Sequence, residues 1–244
     1  MASLSVIIPA YNEEGNIAAA VGEVVRAVND KLDDYEIIII NDHSNDRTGS
    51  IAEELSRGNS HIKVVHNARN MGLGYNYKKG VELAEKEYVV MFPGDNEVLG
   101  KSIENMSNLI GKADIIIPYT ANLSIRPLFR QIVSRVFTTI WNIAFNLRLK
   151  YYNGCVIHKS TVIKAVPMST FGFAYQAEIL VRLLRSGHSF IETEMFLRER
   201  AYGSPKAFST KNIFAVSETF LRLLLEVHIL RREKYNQLAK RVTL

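Results

Sequence analysis

Short, uninterrupted apolar runs recur along the first half of the chain, each closed by turn residues. They are LSVIIP (Leu4 to Pro9), YEIIIIN (Tyr35 to Asn41), IKVVHN (Ile62 to Asn67), EYVVMF (Glu87 to Phe92) and ADIIIP (Ala113 to Pro118). Runs of this length, rich in Val and Ile and without polar alternation, predict strands buried on both faces, as in a parallel sheet. Between them, EGNIAAAVGEVVRAVND, NDRTGSIAEELSR, LGYNYKKGVELAEK and GKSIENMSNLIGK have the apolar spacing and length of crossover helices. The pattern predicts repeated βαβ units: an α/β fold with a Rossmann-like, mostly parallel sheet and flanking helices. In such sheets ligands bind beyond the carboxyl ends of the strands, and the loops there are polar in this chain.

From residue 119 to about 150 the pattern changes. LSIRPLFRQIVSRVFTTIWNIAFNLRLK contains Arg126, Arg130, Arg135, Arg148 and Lys150, no acidic residue, and an uncharged stretch from Val136 to Leu147. That stretch is shorter than the roughly 20 apolar residues a membrane span needs. A basic amphipathic segment with aromatic residues is expected to lie in a membrane interface; the alternative is a core helix with its arginines in water. Further on, YYNGCVIHKS reads as a turn and strand, AYQAEILVRLLRSG as a helix and HSFIETEMFLRER as a strand. A Gly/Ser/Pro loop, AYGSPKAFST, then leads into a long helix expected from Asn212 to Ala239. Leu221, Leu224, Leu225, Ile229 and Leu230 form its apolar stripe, suited to the domain, a second subunit or lipid.

The chain has 244 residues, 47% hydrophobic and 23% charged, enough for a full core in one large domain or a domain with an appendage. Its formal charge of +5 matters mainly through the basic segment just described. The single cysteine, Cys155, excludes an intramolecular disulfide and reads as a small buried apolar residue. The start, MASLSVIIPA, enters a strand without the pattern of a signal peptide, so a cytoplasmic location is expected.

The loops after the strands carry the candidate chemistry. After the first, PAYNEEGN offers Tyr11 to stack on a planar base, with Asn12, Glu13 and Glu14 to accept from ribose hydroxyls or cap the next helix. After the second, Asp42 is suited to accept a nucleobase N–H, and Asp46 to cap a helix. Gly72 and Gly74 follow the third strand, not the first, and lack the third glycine of a dinucleotide-binding loop. After the fourth, Asp95 and Glu97 stand two apart in a turn, either as solvated turn residues or as joint ligands of a hard divalent cation.

SVIIPAYNEEGNI, IIIINDHSNDRT, NARNMGLGYNYKKGVELAEKEYVVMFPGDNE, YYNGCVIHKSTVIKAVP and FLRERAYGSPKAF occur in one order and spacing. Over about residues 3 to 210 the chain thereby resembles glycosyltransferase family 2, whose members have the GT-A fold, and especially its dolichyl- and polyprenyl-phosphate mannose or glucose synthases. The resemblance implies a GT-A domain over 1–210, with 119–150 facing acceptor and membrane, and a C-terminal helical extension over 211–244. It implies that Pro9, Tyr11, Asn12, Glu13 and Asp42 line a nucleotide pocket, to which Gly72 is added. Asp95 matches the last acidic residue of an Asp-x-Asp metal motif and Glu97 a position that also reaches the metal, Mg²⁺ or Mn²⁺. Arg200, Gly203 and Lys206 match a loop closing over donor pyrophosphate and acceptor phosphate. The chain departs from the family pattern at Asn41, His43, Pro93, Asn153 and Pro205, and Pro93 removes the first acidic residue of the metal motif.

The expected activity is inverting transfer of a sugar from a GDP- or UDP-linked donor to a polyprenyl phosphate on the cytoplasmic membrane face. Asp95 and Arg200 are the expected catalytic residues, and Arg130, Arg135, Asn153 and Lys206 the acceptor-binding ones. Glu178 is the candidate base if the acceptor is a hydroxyl; otherwise it is a structural helix carboxylate. Other readings are a family 2 enzyme with a soluble acceptor, or a nucleotide-sugar-binding protein without catalysis. Peripheral membrane association and a homodimer through the C-terminal helix complete the expectations, and nucleic acid is not among the partners.

Overall fold

The structure, a computed structural model, describes residues 2–29, 31–32, 34–199 and 210–243, with the backbone alone at 210 and 211. Strands β1 (Ser3–Ala10), β2 (Asp34–Asn41), β3 (Ile62–His66), β4 (Tyr88–Met91) and β5 (Ile115–Thr120) form at the five apolar runs. Helices α1 (Ile17–Asn29), α2 (Thr48–Gly58), α3 (Leu73–Leu83) and α4 (Gly100–Ser107) connect them. The rest comprises α5 (Leu128–Phe145), β6 (Ile157–Lys159), α6 (Ser160–Lys164), α7 (Tyr175–Arg185), β7 (Ser189–Met195), α8 (Thr210–Leu225) and β8 (Lys240–Arg241).

The strands make one sheet in the order β3-β2-β1-β4-β6-β5-β7-β8. Strand β6 runs antiparallel to β4 and β5, and the other pairings between these strands are parallel. Two reversals restore the direction, so β1, β2, β4, β5 and β7 all deliver their carboxyl ends to one edge. Continuous apolar runs suit this sheet because both faces are covered. Val6, Ile8, Ile37, Ile39 and Val90 pack into one core layer, while Ile7, Ile38, Ile40, Val89 and Met91 pack into the other. Each such fully buried side chain contributes about 1.5–3 kcal/mol.

The C-terminal segment differs from the single long helix expected. Helix α8 loosens into a π-helical turn over Glu226–Leu230 and stops, after which the chain doubles back and β8 joins the sheet beside β7. Tyr235, 1% exposed, explains the turn: its ring enters the second core layer. Its carbonyl accepts from Arg185 Nε at 2.9 Å. A straight helix would forgo that burial.

Helix α5 buries Trp141 and Phe145 and leaves Leu128, Phe129, Ile132, Val136, Ile140 and Ile143 exposed, an apolar face the core-helix alternative does not provide. Phe220 of α8 packs on Trp141 and Phe145 at centroid distances of 5.3 and 5.7 Å. Of the expected α8 stripe, Leu221, Leu225, Ile229 and Leu230 also face outward, whereas Leu223 and Val227 pack inward. No helix among the described residues is long and apolar enough to cross a membrane.

His158 on β6 is fully buried, with Nε2 3.1 Å from Gln176 Nε2 and no hydrogen-bond partner for Nδ1 among the described residues. Burial lowers its pKa to about 3. The unfolded chain binds this proton near pH 6.5 and the folded chain does not, so stability falls as pH drops through that window, at up to about 1.4 kcal/mol per pH unit. Thermal melts between pH 6 and 4 are expected to show a shallower pH dependence in His158→Gln; an unchanged slope contradicts this assignment.

Candidate active site at the carboxyl edge of the sheet

The loops after β1 and β2 are built into each other. Ser44 Oγ accepts the Asn12 N–H at 3.0 Å, and Asn12 Oδ1 accepts the Asn45 N–H at 2.9 Å. Thr48 Oγ1 accepts the Glu13 N–H at 2.8 Å, and Glu13 Oε2 accepts from Asn16 Nδ2 at 2.6 Å. Asp46 accepts from the backbone of Thr48 and Glu14, but it stands one residue before the N-cap of α2, which is Arg47 and carries no side-chain capping bond. Asn12 and His43 adopt left-handed backbone with φ of 56° and 62°. Asn and His enter that region more readily than bulkier residues, which suits such tight exits. Tyr11 and Glu13 remain half-exposed beside buried Pro9.

Asp42 is 3% exposed and its carboxylate organises the neighbouring loop. Oδ1 accepts from Asn67 Nδ2 and the Met71 N–H, both at 2.8 Å, and Oδ2 accepts the Gly72 N–H at 2.9 Å. These contacts occupy most of its acceptor capacity, leaving about one of four lone-pair positions for a ligand. Gly72 has φ 89°, a conformation that favours glycine, and precedes α3. Gly74 lies so close to the 170–171 backbone that a Cβ would stand 2.6 Å from Thr170 O. The segment before α7 is thereby pressed onto the loop held by Asp42.

The β4 exit adjoins these loops: Gly94 N–H donates to Pro9 O at 3.2 Å. Asp95 and Glu97 are half-exposed on either side of Asn96, which has φ 57°. Asp95 Oδ1 accepts the Glu97 N–H at 3.2 Å, closing a tight turn. Asn96 Oδ1 is buried and accepts no hydrogen bond among the described residues. Two carboxylates with an uncompensated amide oxygen between them make a hard, all-oxygen donor set, which fits Mg²⁺ or Mn²⁺. Among the described residues no group of three or more His, Cys, Asp or Glu side chains gathers as a metal cage, so substrate or water oxygens would complete the coordination.

Other groups surround this pair. Arg126 Nη1 donates to Tyr151 Oη at 3.2 Å. Burial disfavours the Arg126 charge, but the Tyr151 hydroxyl and the charges of Glu97 and Asp95 prevail and raise its pKa. Cys155 is buried, as expected, and burial together with the Asp95 and Glu97 charges raises its thiol pKa. Arg126 belongs to the basic segment and was not among the expected site residues; its place at the exit of β5 is the signal in the chain that points to it.

The remaining expected residues are dispersed. Arg130 is half-buried in the first turn of α5, Arg135 is exposed farther along that helix, and Asn153 is exposed in the turn before β6. Arg200, Gly203, Pro205 and Lys206 lie outside the described residues. Glu178 is 0% exposed, with Arg182 Nη1 at 2.8 Å, Arg222 Nη2 at 3.2 Å and the Thr170 N–H donating at 2.8 Å. Ser169 Oγ donates to it as well. This enclosure, by two guanidinium groups and two further donors, is the surrounding expected of the structural alternative.

Known proteins share this fold. A mannosyl-3-phosphoglycerate synthase from Rubrobacter xylanophilus superimposes with a TM-score of 0.72 at 12% identity, over 94% of this chain and 76% of that one. A glucosyl-3-phosphoglycerate synthase from Mycobacterium tuberculosis, in complex with Mn²⁺, UDP-glucose and phosphoglyceric acid, gives 0.63 at 14% identity, over 90% and 80%. The fold is therefore GT-A. A dolichol-phosphate mannosyltransferase of Pyrococcus furiosus is 28% identical over 91% of this chain and 63% of its own length. The Bacillus subtilis glycosyltransferase EpsJ is 33% identical over 43% of this chain and 29% of its own. The chain thus spans between about a third and two thirds of the curated relatives it matches. The pattern of Glycosyl transferase family 2 matches residues 5–165, most of the sheet and the loops at its carboxyl edge, and the chain belongs to that family.

Proposed function

We propose that the chain transfers a glycosyl group, with inversion, from a nucleoside diphosphate sugar to a polyprenyl phosphate at a membrane surface. The observation that carries the reading is the meeting, at one sheet edge, of the Tyr11–Glu13 and Asp42 loops with the Asp95–Glu97 turn. Tyr11 stacks on the base, the Asn12 and Glu13 loop receives the ribose, and the free lone pair of Asp42 accepts a base N–H. Asp95 and Glu97 would hold a divalent cation, which would supply positive charge to the leaving diphosphate. Arg130 and Arg135, with Asn153, Arg200 and Lys206, are assigned to the phosphates of acceptor and donor. A lipid phosphate, with a second pKa of about 6, is largely dianionic at neutral pH and attacks without a base, so Glu178 has no proton to take.

The lipid acceptor is supported by the exposed apolar face of α5 on a segment with basic and no acidic residues, and by the similarity to a dolichol-phosphate mannosyltransferase. The similarity in fold to synthases crystallised with phosphoglyceric acid favours a second reading, a soluble phosphorylated acceptor. Incubation with GDP- and UDP-sugars, Mg²⁺ or Mn²⁺, and either polyprenyl phosphate in vesicles or phosphoglyceric acid separates the two. Glycolipid formation is expected. Product from the soluble acceptor alone overturns the lipid reading, and absence of transfer to either acceptor overturns both.

A further inference from the structure

Arg126 follows the short 3₁₀ turn Leu123–Ile125 after β5 and immediately precedes Pro127 and α5. Hydrogen bonds make this turn and the acidic loop parts of one scaffold. Asn122 Nδ2 donates to Leu197 O at 2.7 Å, and the Leu197 N–H donates back to Asn122 Oδ1 at 3.0 Å. On the other side Val98 forms a bridge with Leu197, and the Arg198 N–H donates to Glu97 O at 2.8 Å. The β5 exit and the Asp95–Glu97 turn are thus both clamped to Leu197 beyond β7, and the acidic turn also to Arg198. Tyr151 Oη accepts from the guanidinium at 3.2 Å, and Gln131 Nε2 donates to the Arg126 carbonyl at 2.8 Å, so both side chain and backbone are anchored. In this half-buried position the charges of Glu97 and Asp95 act on the guanidinium. A partly desolvated cation held on the same scaffold as two carboxylates, and acted on by their charges, offsets their repulsion, and its planar fork suits phosphate oxygens.

We propose that Arg126 is a second, protein-borne cation of this site, neutralising Asp95 and Glu97 in the nucleotide-free chain and binding the donor diphosphate beside the divalent ion. The inference rests on the nucleoside diphosphate sugar reading above. The effects of Arg126 are opposed: alone with the carboxylates, the guanidinium competes with a divalent cation, whereas with a diphosphate present the two cations attract the same ligand.

Calorimetry on the full chain tests this with Mn²⁺ alone, and with UDP and GDP in the presence of EDTA or of Mn²⁺. In Arg126→Gln, bare Mn²⁺ is expected to bind on the order of tenfold more tightly, because a like charge has gone. The better-bound nucleoside diphosphate, without metal, is expected to bind on the order of tenfold more weakly, because a charge-assisted contact has gone. Arg126→Lys, which keeps the charge, should show smaller shifts in both. A merely structural role predicts that both affinities fall together in Arg126→Gln; that result, or no change, overturns the inference while leaving the proposed donor class intact. If the unmodified chain binds neither UDP nor GDP even with Mn²⁺, the donor reading fails and this inference with it.

Discussion

Asp95→Ala is expected to lower glycosyl transfer by about two to three orders of magnitude, the loss typical when one preorganised group facing developing charge is removed. The effect should be large because the described site has few oxygen ligands: Pro93 offers none, and no cluster of three ligand side chains exists among the described residues. The melting temperature should hardly change. Asp95 is half-exposed, and its Oδ1 accepts the Glu97 N–H at a rather long 3.2 Å. Glu97→Gln keeps an oxygen ligand while losing a charge and should lose less activity than Asp95→Ala. Initial rates over a Mn²⁺ titration, with melts of the same preparations, check the pair. Undiminished transfer in Asp95→Ala refutes the cation role of this turn.

The largest effect on stability is expected at Glu178. Its fully buried side chain meets Arg182 and Arg222 and accepts from Ser169 and Thr170, joining α7, α8 and the segment before α7. Removing one partner from a buried ionic cluster costs about 3–5 kcal/mol, because charge and donors are left without compensation. Arg182 keeps Glu226 at 2.7 Å, so Glu178→Ala should fall at the lower end, about 3 kcal/mol. For a chain of this size that is a fall in melting temperature of roughly 6–12 °C. The same variant separates structure from catalysis: the rate per folded molecule, measured well below the melt, should stay within about tenfold of the unmodified chain, less than the usual contribution of a general base. A greater loss per folded molecule with little change in melting temperature restores the base role.

Elements whose periodicity is local were legible from the chain. The five apolar strands could be read because burial on both faces demands uninterrupted Val and Ile, and the sheet meets that demand. The tail was misread because Leu221 to Leu230 carry a good helical stripe, while the decision to turn back depends on Tyr235 finding the second core layer. No window along the sequence contains that contact. Glu178 illustrates the same limit. One carboxylate near a helix start suits either a base or a structural ion pair, and the choice rests with Arg222, 44 positions away.

The site was legible as a set of loops but not as a set of contacts. Asp42 was recognised by its place after a strand, yet its three protein donors come from Asn67, Met71 and Gly72 on the next loop. Arg126 looked like one arginine among several until β5, the acidic turn and the end of β7 were seen on common hydrogen bonds. The sequence by itself determined the alternating α/β order, the edge of the sheet where chemistry gathers and the acidic turn, because apolar runs and turn residues are properties of neighbouring positions. Only the tertiary structure decided which charged groups act on one another, Asp95 and Glu97 on Arg126, and Arg182 and Arg222 paired with Glu178. Electrostatic partnership depends on distance in space, and the packing of distant segments sets that distance.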